Sequence, residues 1–491
     1  MTNKVQKALD KYRQASPMVK ASFWYLFCSF MQKGISAIST PIFSRLLSTA
    51  EYGQYDVFNS WLSILSEIVS LQLFSGVFMQ GLVKFDKRRE EFASSIQGLS
   101  FTLVMFWTIV YLAFHDFWNG VFHLSTVQML AMLSMIWTTS VFSLWAGEQR
   151  VLYKYKNLVI VTIIASVCKP GVGVIFVILS EDKVTARILG LAIVELLIYT
   201  CLYFVQMKRG KVFFSAYFWK YALAFNIPLL PHYLSQHILN SADRIMIKHY
   251  IGDSEAGIYG LAYSVAQIMK FFNVALTATI TPYIYQKIKA KKVEDISMLI
   301  YIGLPFVAIV NMMLIVFAPE IVAIFAPADY YNAIWIIPPV ALSVYFTFAY
   351  DFFAKFSLYF EKTKFVMLAS MSGAVLNILL NAIFIPKFGY YAAGYTTLFC
   401  YIVYTFAHYL GMRKVCKMYL EGKNPYNMKV IVLFSVVFMV VAFCVMFTYN
   451  YPFIRYSIAG LALILMFIFR KKLYFQIKEI LNLRKKSGRT T

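Results

Sequence analysis

Apolar residues run along this chain in stretches of about twenty or more, separated by short polar segments. A helix needs roughly 20 apolar residues to cross a hydrocarbon core. Membrane β-strands show a weaker, roughly 10-residue alternating pattern, which is not the pattern here. In hydrocarbon every backbone N–H and C=O must be bonded within the protein, so runs of this length read as spanning helices. The pattern predicts spans at 20–44, 54–83, 93–114, 126–148, 155–180, 187–206, 219–247, 255–284, 297–326, 331–354, 364–385, 390–412, 428–448 and 453–469. The expected class is an all-α polytopic membrane protein with about 14 transmembrane helices. The N-terminus reads as a basic amphipathic stretch rather than a cleaved signal, because the apolar run after it is long enough to span.

Composition supports this class. Hydrophobic residues make up 60% of the 491 residues, charged residues only 14%, and the mean hydropathy is +0.65. A soluble domain is usually about 25% charged. The net charge of +23 would suit a nucleic-acid binder, but its distribution argues otherwise. Thirty-six of the 46 lysines and arginines fall on the N-terminus, the even-numbered connections and the C-terminal tail. Seven fall on the odd-numbered connections: Arg45, Lys183, Arg187, Arg244, Lys248, Lys387 and Arg455. This asymmetry places both termini in the cytoplasm and assigns the basic charge to topology and anionic lipid headgroups, with no nucleic-acid partner. The six cysteines (Cys28, Cys168, Cys201, Cys400, Cys416 and Cys444) lack metal-ligand spacing and read as small apolar residues.

An internal repeat organises the spans. Glu51-Tyr52-Gly53-Gln54-Tyr55 follows span 1, and Glu255-Ala256-Gly257-Ile258-Tyr259 follows span 7. Both read E-x-G-x-Y, offset by 204 residues, and each has an arginine upstream, Arg45 or Arg244. Spans 1 and 7 share one orientation, so the repeat predicts two six-helix bundles related by a pseudo-two-fold axis along the membrane normal. The expected division is 1–212 for the first bundle, 213–420 for the second, and 421–491 for two additional helices and a basic cytoplasmic tail.

Several segments resemble a known family. They are Pro41-Ile-Phe-Ser-Arg45-Leu-Leu-Ser-Thr-Ala-Glu51-Tyr-Gly53-Gln-Tyr55, Asp243-Arg244-Ile-Met-Ile with Gly257-Ile-Tyr259, Phe317-Ala-Pro-Glu320-Ile-Val, and Leu376-Asn377-Ile-Leu-Leu-Asn381-Ala-Ile-Phe-Ile-Pro386-Lys-Phe-Gly389-Tyr-Tyr-Ala-Ala393-Gly. Together they resemble the polysaccharide repeat-unit flippases of the multidrug/oligosaccharidyl-lipid/polysaccharide exporter superfamily, which serve O-antigen, capsule and exopolysaccharide pathways. The resemblance implies a multi-pass protein of the bacterial inner membrane. It also implies a cavity lined by spans 1, 2, 7 and 8, and outward transport of an undecaprenyl-diphosphate-linked oligosaccharide by alternating access. The partners it implies are that lipid-linked oligosaccharide, membrane lipids, and the pathway's polymerase and glycosyltransferases.

The residues themselves can be weighed beside that resemblance. A path for sugars and diphosphate needs polar stripes at helical spacing on a few spans. Span 1 carries Ser22, Ser29, Lys33, Ser36 and Thr40, and span 2 carries Asn59, Ser63, Glu67 and Ser70. Span 7 carries Asn226, Tyr233, His237, Asn240 and Arg244, and span 8 carries Tyr263, Gln267, Lys270, Asn273, Thr277 and Thr281. The blander reading is that such side chains join helices in any membrane bundle. The expected substrate-binding set is Lys33, Lys270, Glu67, Gln267, Asn273, His237, Asn240 and Arg244. Charges at depth are costly and face an interior or water, so the lysines are expected to meet the diphosphate. Glu67, Lys270, Lys169 and His232 form the expected gate or coupling set. Lys169 precedes Pro170 and Gly171, at an expected break in span 5, and Pro228 and Pro231 mark span 7 as the bending helix.

The chain has no phosphate-binding G-x-x-x-x-G-K-[ST] loop and no paired carboxylates. No enzymatic activity, metal or cofactor is expected. Coupling is left open among the membrane potential, H+ and Na+. Two other transport functions compete: a lipid II flippase for peptidoglycan, and a multidrug antiporter, which three intramembrane lysines disfavour.

Overall fold

The computed structural model describes residues 16–461 and 464, which are helical with no strand. The basic stretch before Ser16, the end of the last predicted span and the basic tail lie outside the described residues. The chain divides into two compact units, Met1–Gly257 and Ile258–Thr491. This division by packing falls within the second E-x-G-x-Y copy and groups spans by contact rather than by repeat.

The first unit holds α1 (Pro17–Leu46), α2 (Thr49–Ser70), α3 (Val77–Lys84), α4 (Arg89–Ala113), α5 (His115–Phe122), α6 (Thr126–Val151), α7 (Tyr155–Leu179), α8 (Lys183–Gly210), α9 (Ala216–Asn226), α10 (Leu230–Tyr250) and the start of α11 (Asp253–Gln267). Polar side chains set many of the helix starts. Ser16 caps α1 ahead of Pro17. Ser48 and Glu51 close a capping box on α2, as Ser125 and Gln128 do on α6. The glutamate of the first E-x-G-x-Y motif is therefore a helix-start residue.

The second unit holds the rest of α11, then α12 (Lys270–Lys289), α13 (Ser297–Val316), α14 (Ala318–Phe325), α15 (Ile337–Tyr359), α16 (Thr363–Phe388), α17 (Tyr391–Tyr419) and α18 (Met428–Met446), followed by a helical segment at 452–461. Helix α15 is its hub, with 83% of its most apolar stretch buried. Tyr345 bonds Ser435 of α18 at 2.9 Å, and Thr405 of α17 donates to Phe346 O at 3.2 Å. The asparagines of the Leu376–Gly394 motif knit α16 to α17: Asn377 donates to Thr397 at 3.2 Å, and Thr396 bonds Asn381. Arg455, 2% exposed, makes a bidentate bond to Glu320 at 2.6 Å on both arms, so the Phe317–Val322 motif anchors the C-terminal segment.

Each of the first thirteen predicted spans coincides with a helix or with two consecutive helical segments, and the fourteenth lies mostly outside the described residues. Among the described residues, eight helices are long and apolar enough to cross a membrane by length and composition: those at 86–113, 126–151, 155–179, 183–210, 293–316, 337–359, 363–388 and 428–446. Their outward faces carry exposed apolar side chains, such as Ile160, Ile164, Ile175 and Ile178 on α7 and Leu433 and Val440 on α18. A water-facing helix would not present such a belt. The helices of spans 1, 2, 7, 8 and 12 are absent from the eight, and in spans 7 and 8 the breaks leave α9 and α11 short, at 11 and 15 residues.

Four expectations are corrected. Span 2 is interrupted at Leu71–Gly76, where Leu71, Gln72 and Gly76 adopt positive φ. Span 9 ends at Val316, and α14 follows as a separate short helix. The start of span 10, residues 331–335, belongs to a 3-10 helix, Ala328–Trp335, ahead of α15. Span 5 is not broken: α7 runs through Pro170 without interruption. Close packing accompanies this continuity. Gly190 of α8 approaches so closely that a Cβ there would lie 2.8 Å from Gly173 Cα.

Candidate functional site

The polar stripe of α2 meets α10 and the start of α11 along a seam inside the first unit. At one end the two E-x-G-x-Y motifs dock on each other. A Cβ on Gly53 would lie 1.8 Å from Asp253 O, and one on Gly257 would lie 2.1 Å from Thr49 O. The contact is reciprocal, since Gly53 and Gly257, and likewise Thr49 and Asp253, are related by the 204-residue offset. Thr49 and Ser254 share a hydrogen bond of 2.7 Å, Gln54 donates to Asp253 at 3.1 Å, and Lys248 pairs with Asp253 at 3.1 Å. Both glycines are thus required by a close backbone crossing, which no side chain would permit.

Further along the seam, Arg244 Nη1 donates to Asn240 O at 3.3 Å and reaches Ser60 Oγ at 3.5 Å. Asn240 Nδ2 donates to Gln236 O at 2.7 Å. Glu67 lies deeper. Its carboxylate is almost fully buried, accepts from Gln72 Nε2, and stands 3.0 Å from His237 Nε2. Its Oε2 has no hydrogen-bond partner among the described residues.

Gln72 belongs to the unwound turn that follows α2. The same turn is held from span 7, which is itself broken by a 3-10 turn at Ile227–Leu229 beside Pro228 and Pro231. Asn226, the last residue of α9, donates from Nδ2 to Leu71 O and Gln72 O, both at 2.8 Å. Two discontinuous spans therefore meet, and span 7 satisfies backbone carbonyls freed by the break in span 2. Irregular backbone is tolerated at membrane depth only where protein or water satisfies it in this way. The proline reading of span 7 as the bent helix agrees with this turn.

The remaining expected residues are dispersed. Lys33 lies on an exposed face of α1, and His232 is half-buried on α10, with its Nδ1 buried and unpartnered among the described residues. Lys169 does not serve a helix break. Its ammonium pairs with the buried Glu195, whose other oxygen accepts from Thr138 at 2.9 Å and Thr139 at 3.3 Å, and it lies 5.2 Å from the Tyr199 ring centroid. This is a satisfied ion pair joining α6, α7 and α8. In the second unit, Gln267 ends α11 and Lys270 begins α12, and the turn between them is tightened by Ile268 and Met269 N–H bonds to Val265 O and Ala266 O. Asn273 is buried and donates to Val344 O at 2.9 Å.

Sequence reading missed several polar groups. Asp351 accepts from Thr277 at 2.8 Å and pairs with Lys355, which is 3% exposed. Their i,i+4 spacing was a usable signal. Arg187, counted as a connection residue, is buried with its guanidinium 3.4 Å from the Tyr55 ring centroid and 3.9 Å from that of Phe43. Nothing in the sequence signals that stacking, because the rings come from two other helices.

Comparison with known proteins gives this geometry a family. Residues 18–288 match the model of the polysaccharide biosynthesis protein family, and residues 228–383 match the MatE family. Two proteins of Haemophilus influenzae are similar: the "Lsg locus putative protein 1", 25% identical over 216 residues, and an uncharacterized membrane protein, 24% identical over 206 residues. Each alignment covers 40% of this chain, which spans about half the length of these curated relatives. Among solved structures, the lipid II flippase MurJ in an inward closed conformation superposes with a TM-score of 0.70 at 14% identity, covering 91% of this chain and 99% of that one. An inward-facing multidrug resistance MATE family transporter of the MOP superfamily superposes at 0.62 and 13% identity, covering 80% and 96%. These similarities establish a shared fold. The match to more than half of the chain shows that it belongs to the polysaccharide biosynthesis protein family.

Proposed function

We propose that this protein is a flippase that carries an undecaprenyl-diphosphate-linked oligosaccharide from the cytoplasmic to the outer face of the bacterial inner membrane by alternating access. The observation that carries this reading is the setting of Lys270. It is the first residue of α12, just after the Ile268–Met269 turn and inside a predicted span, where a positive charge is costly unless it serves an interior or a ligand. An ammonium on a flexible stem can follow a moving diphosphate, and Lys33 on α1 would supply a second such group. Gln267, Asn273, Asn240 and Arg244 would offer hydrogen bonds to sugars and phosphate. The Glu67–His237 contact and the glycine crossing would hold the helices in the present conformation. The polymerase and glycosyltransferases of the pathway are the expected partners.

The energy source follows from the substrate's charge. A charge crossing the full potential gains about 2.3 kcal/mol per 100 mV, so an outward-moving diphosphate of two charges gains about 4–5 kcal/mol. Reconstituted vesicles with a fluorescent undecaprenyl-diphosphate oligosaccharide, and lipid II as a parallel substrate, test both statements. Transport of the oligosaccharide should slow when the potential is collapsed with the pH gradient intact. Lys33→Ala and Lys270→Ala should each impair it, with arginine rescuing better than glutamine. Transport of lipid II but not the oligosaccharide would overturn the substrate assignment, and equal rescue by glutamine would overturn the lysines' role.

A further inference from the structure

Helix α2 has two chemically opposite faces. Asn59, Ser63, Glu67 and Ser70 form its polar stripe, whereas Trp61, Ile64, Leu65 and Ile68 fall on the opposite side at steps of three and four. The apolar side forms one wall of a pocket of about 400 Å3. Trp107 and Tyr111 of α4, Trp118, Val121 and Phe122 of α5, and Met129 and Leu133 of α6 complete it. The short helix α5 folds between α4 and α6 as a flap, held by Tyr111 to Asn119 at 2.8 Å and by Asn119 to Thr126 at 2.8 Å. Aromatic rings stand among aliphatic side chains in the lining. Trp61 meets Phe122 edge-on with centroids 4.8 Å apart, and Trp118 stacks on Phe122 at 5.7 Å.

We propose that this pocket binds the isoprenoid chain of the lipid-linked substrate. The inference rests on the flippase reading above and names the place of the substrate's tail. Three observations carry it. An apolar cavity of ~150 Å3 is enough to bind benzene, so about 400 Å3 has room for a short run of chain carbons. Its walls mix branched aliphatic side chains with indole and phenyl faces, which pack well against the methyl branches and planar trisubstituted alkenes of a polyprenyl chain. Its wall is the same helix whose other face carries Glu67, so an amphiphile can keep its polar head on one side of α2 and its chain on the other. The two sides come nearest at the Leu71–Gly76 turn, where α2 ends just past Ile68.

The test uses the purified full-length protein in lipid nanodiscs and two photoreactive probes, geranylgeraniol and geranylgeranyl diphosphate, each carrying a diazirine on the chain. Both should crosslink to residues of α2, α4 and α5 that line the pocket. Val121→Trp, which fills it, should weaken both at least tenfold and leave binding of inorganic diphosphate unchanged. If that variant fails to fold, Trp107→Ala, which removes one aromatic wall, decides instead by weakening geranylgeraniol. Crosslinks elsewhere, unaltered affinity in a folded Val121→Trp protein, or equal displacement of geranylgeraniol by a saturated phosphatidylglycerol would each overturn the proposal. The last outcome would mark the pocket as a site for a bilayer acyl chain only. Failure of inorganic diphosphate to bind would count against the flippase reading alone, since geranylgeraniol has no charge and still reports on the pocket.

Discussion

Replacing Gly53 by alanine should unlock the end of the seam where the two repeat motifs dock. The added Cβ would stand 1.8 Å from Asp253 O and 2.8 Å from both Asp253 C and Gly257 N. All three are backbone atoms, so no rotamer change relieves the overlap. Reaching an ordinary contact of about 3.5 Å requires the helices to part by roughly 1.5 Å or more. Overpacking of this kind costs about 1–3 kcal/mol. Parting also loses the Thr49–Ser254 and Gln54–Asp253 hydrogen bonds, each contributing about 1 kcal/mol. A total near 3–5 kcal/mol moves the equilibrium away from the docked arrangement at least about a hundredfold. Gly257→Ala should act alike, with its Cβ 2.1 Å from Thr49 O, whereas Gly171→Ala, with nothing within 4 Å, serves as the control. The assay introduces cysteines at Thr49 and Ser254, which removes their hydrogen bond from parent and variants alike and leaves about 2–4 kcal/mol of the effect, and measures the rate at which a short thiol-reactive crosslinker joins them. The rate should fall at least tenfold in both motif variants and stay at the parent value in Gly171→Ala. A parent-like rate in Gly53→Ala, in protein inserted at normal levels, would refute the glycine crossing.

Other expectations follow from the same contacts. Lys169→Met should leave Glu195 as an uncompensated buried charge and lower stability by about 3–5 kcal/mol in thermal unfolding, while Lys169→Met with Glu195→Met should recover most of it. Recovery no better than the single variant would show that the pair does more than join helices. Asn226→Ala should strip Leu71 O and Gln72 O of their donor at a cost of about 1–3 kcal/mol and increase hydrogen exchange at the Leu71–Gly76 turn; unchanged exchange there would contradict the capping role. Arg455→Ala should free the segment from residue 452 onward, seen as new protease cleavage after Tyr449, with Glu320→Gln intermediate because one hydrogen-bonding arm survives.

The placement of the spans was legible because hydrocarbon demands long apolar runs and leaves no alternative to helices. The E-x-G-x-Y repeat was legible as a pattern, yet its three residues have separate physical causes: Glu51 caps α2, Gly53 admits a backbone, and Tyr55 packs in the core. The interruption of span 7 was legible from Pro228 and Pro231. The interruption of span 2 was not, since Leu71 and Gln72 have no intrinsic preference for positive φ and hold it through bonds accepted from Asn226 and one donated to Glu67. Pro170 misled in the opposite sense, because α7 continues through it while Gly173 packs closely against Gly190.

The polar stripes divide in the same way. Helical spacing alone put Asn59, Ser63, Glu67 and Ser70 on one face of α2 and an apolar row on the other. Only the tertiary structure decided what each face meets. Glu67 lies against His237 and Gln72, the apolar row backs the aromatic pocket under α5, and Lys169 is spent on Glu195. Periodicity is a property of a single helix and is fixed by its backbone geometry, so sequence determines which residues share a face. The partner of a face depends on how helices distant in the chain pack, and that is set by contacts such as Gly53 on Asp253 and Asn226 on Leu71, which no local pattern encodes.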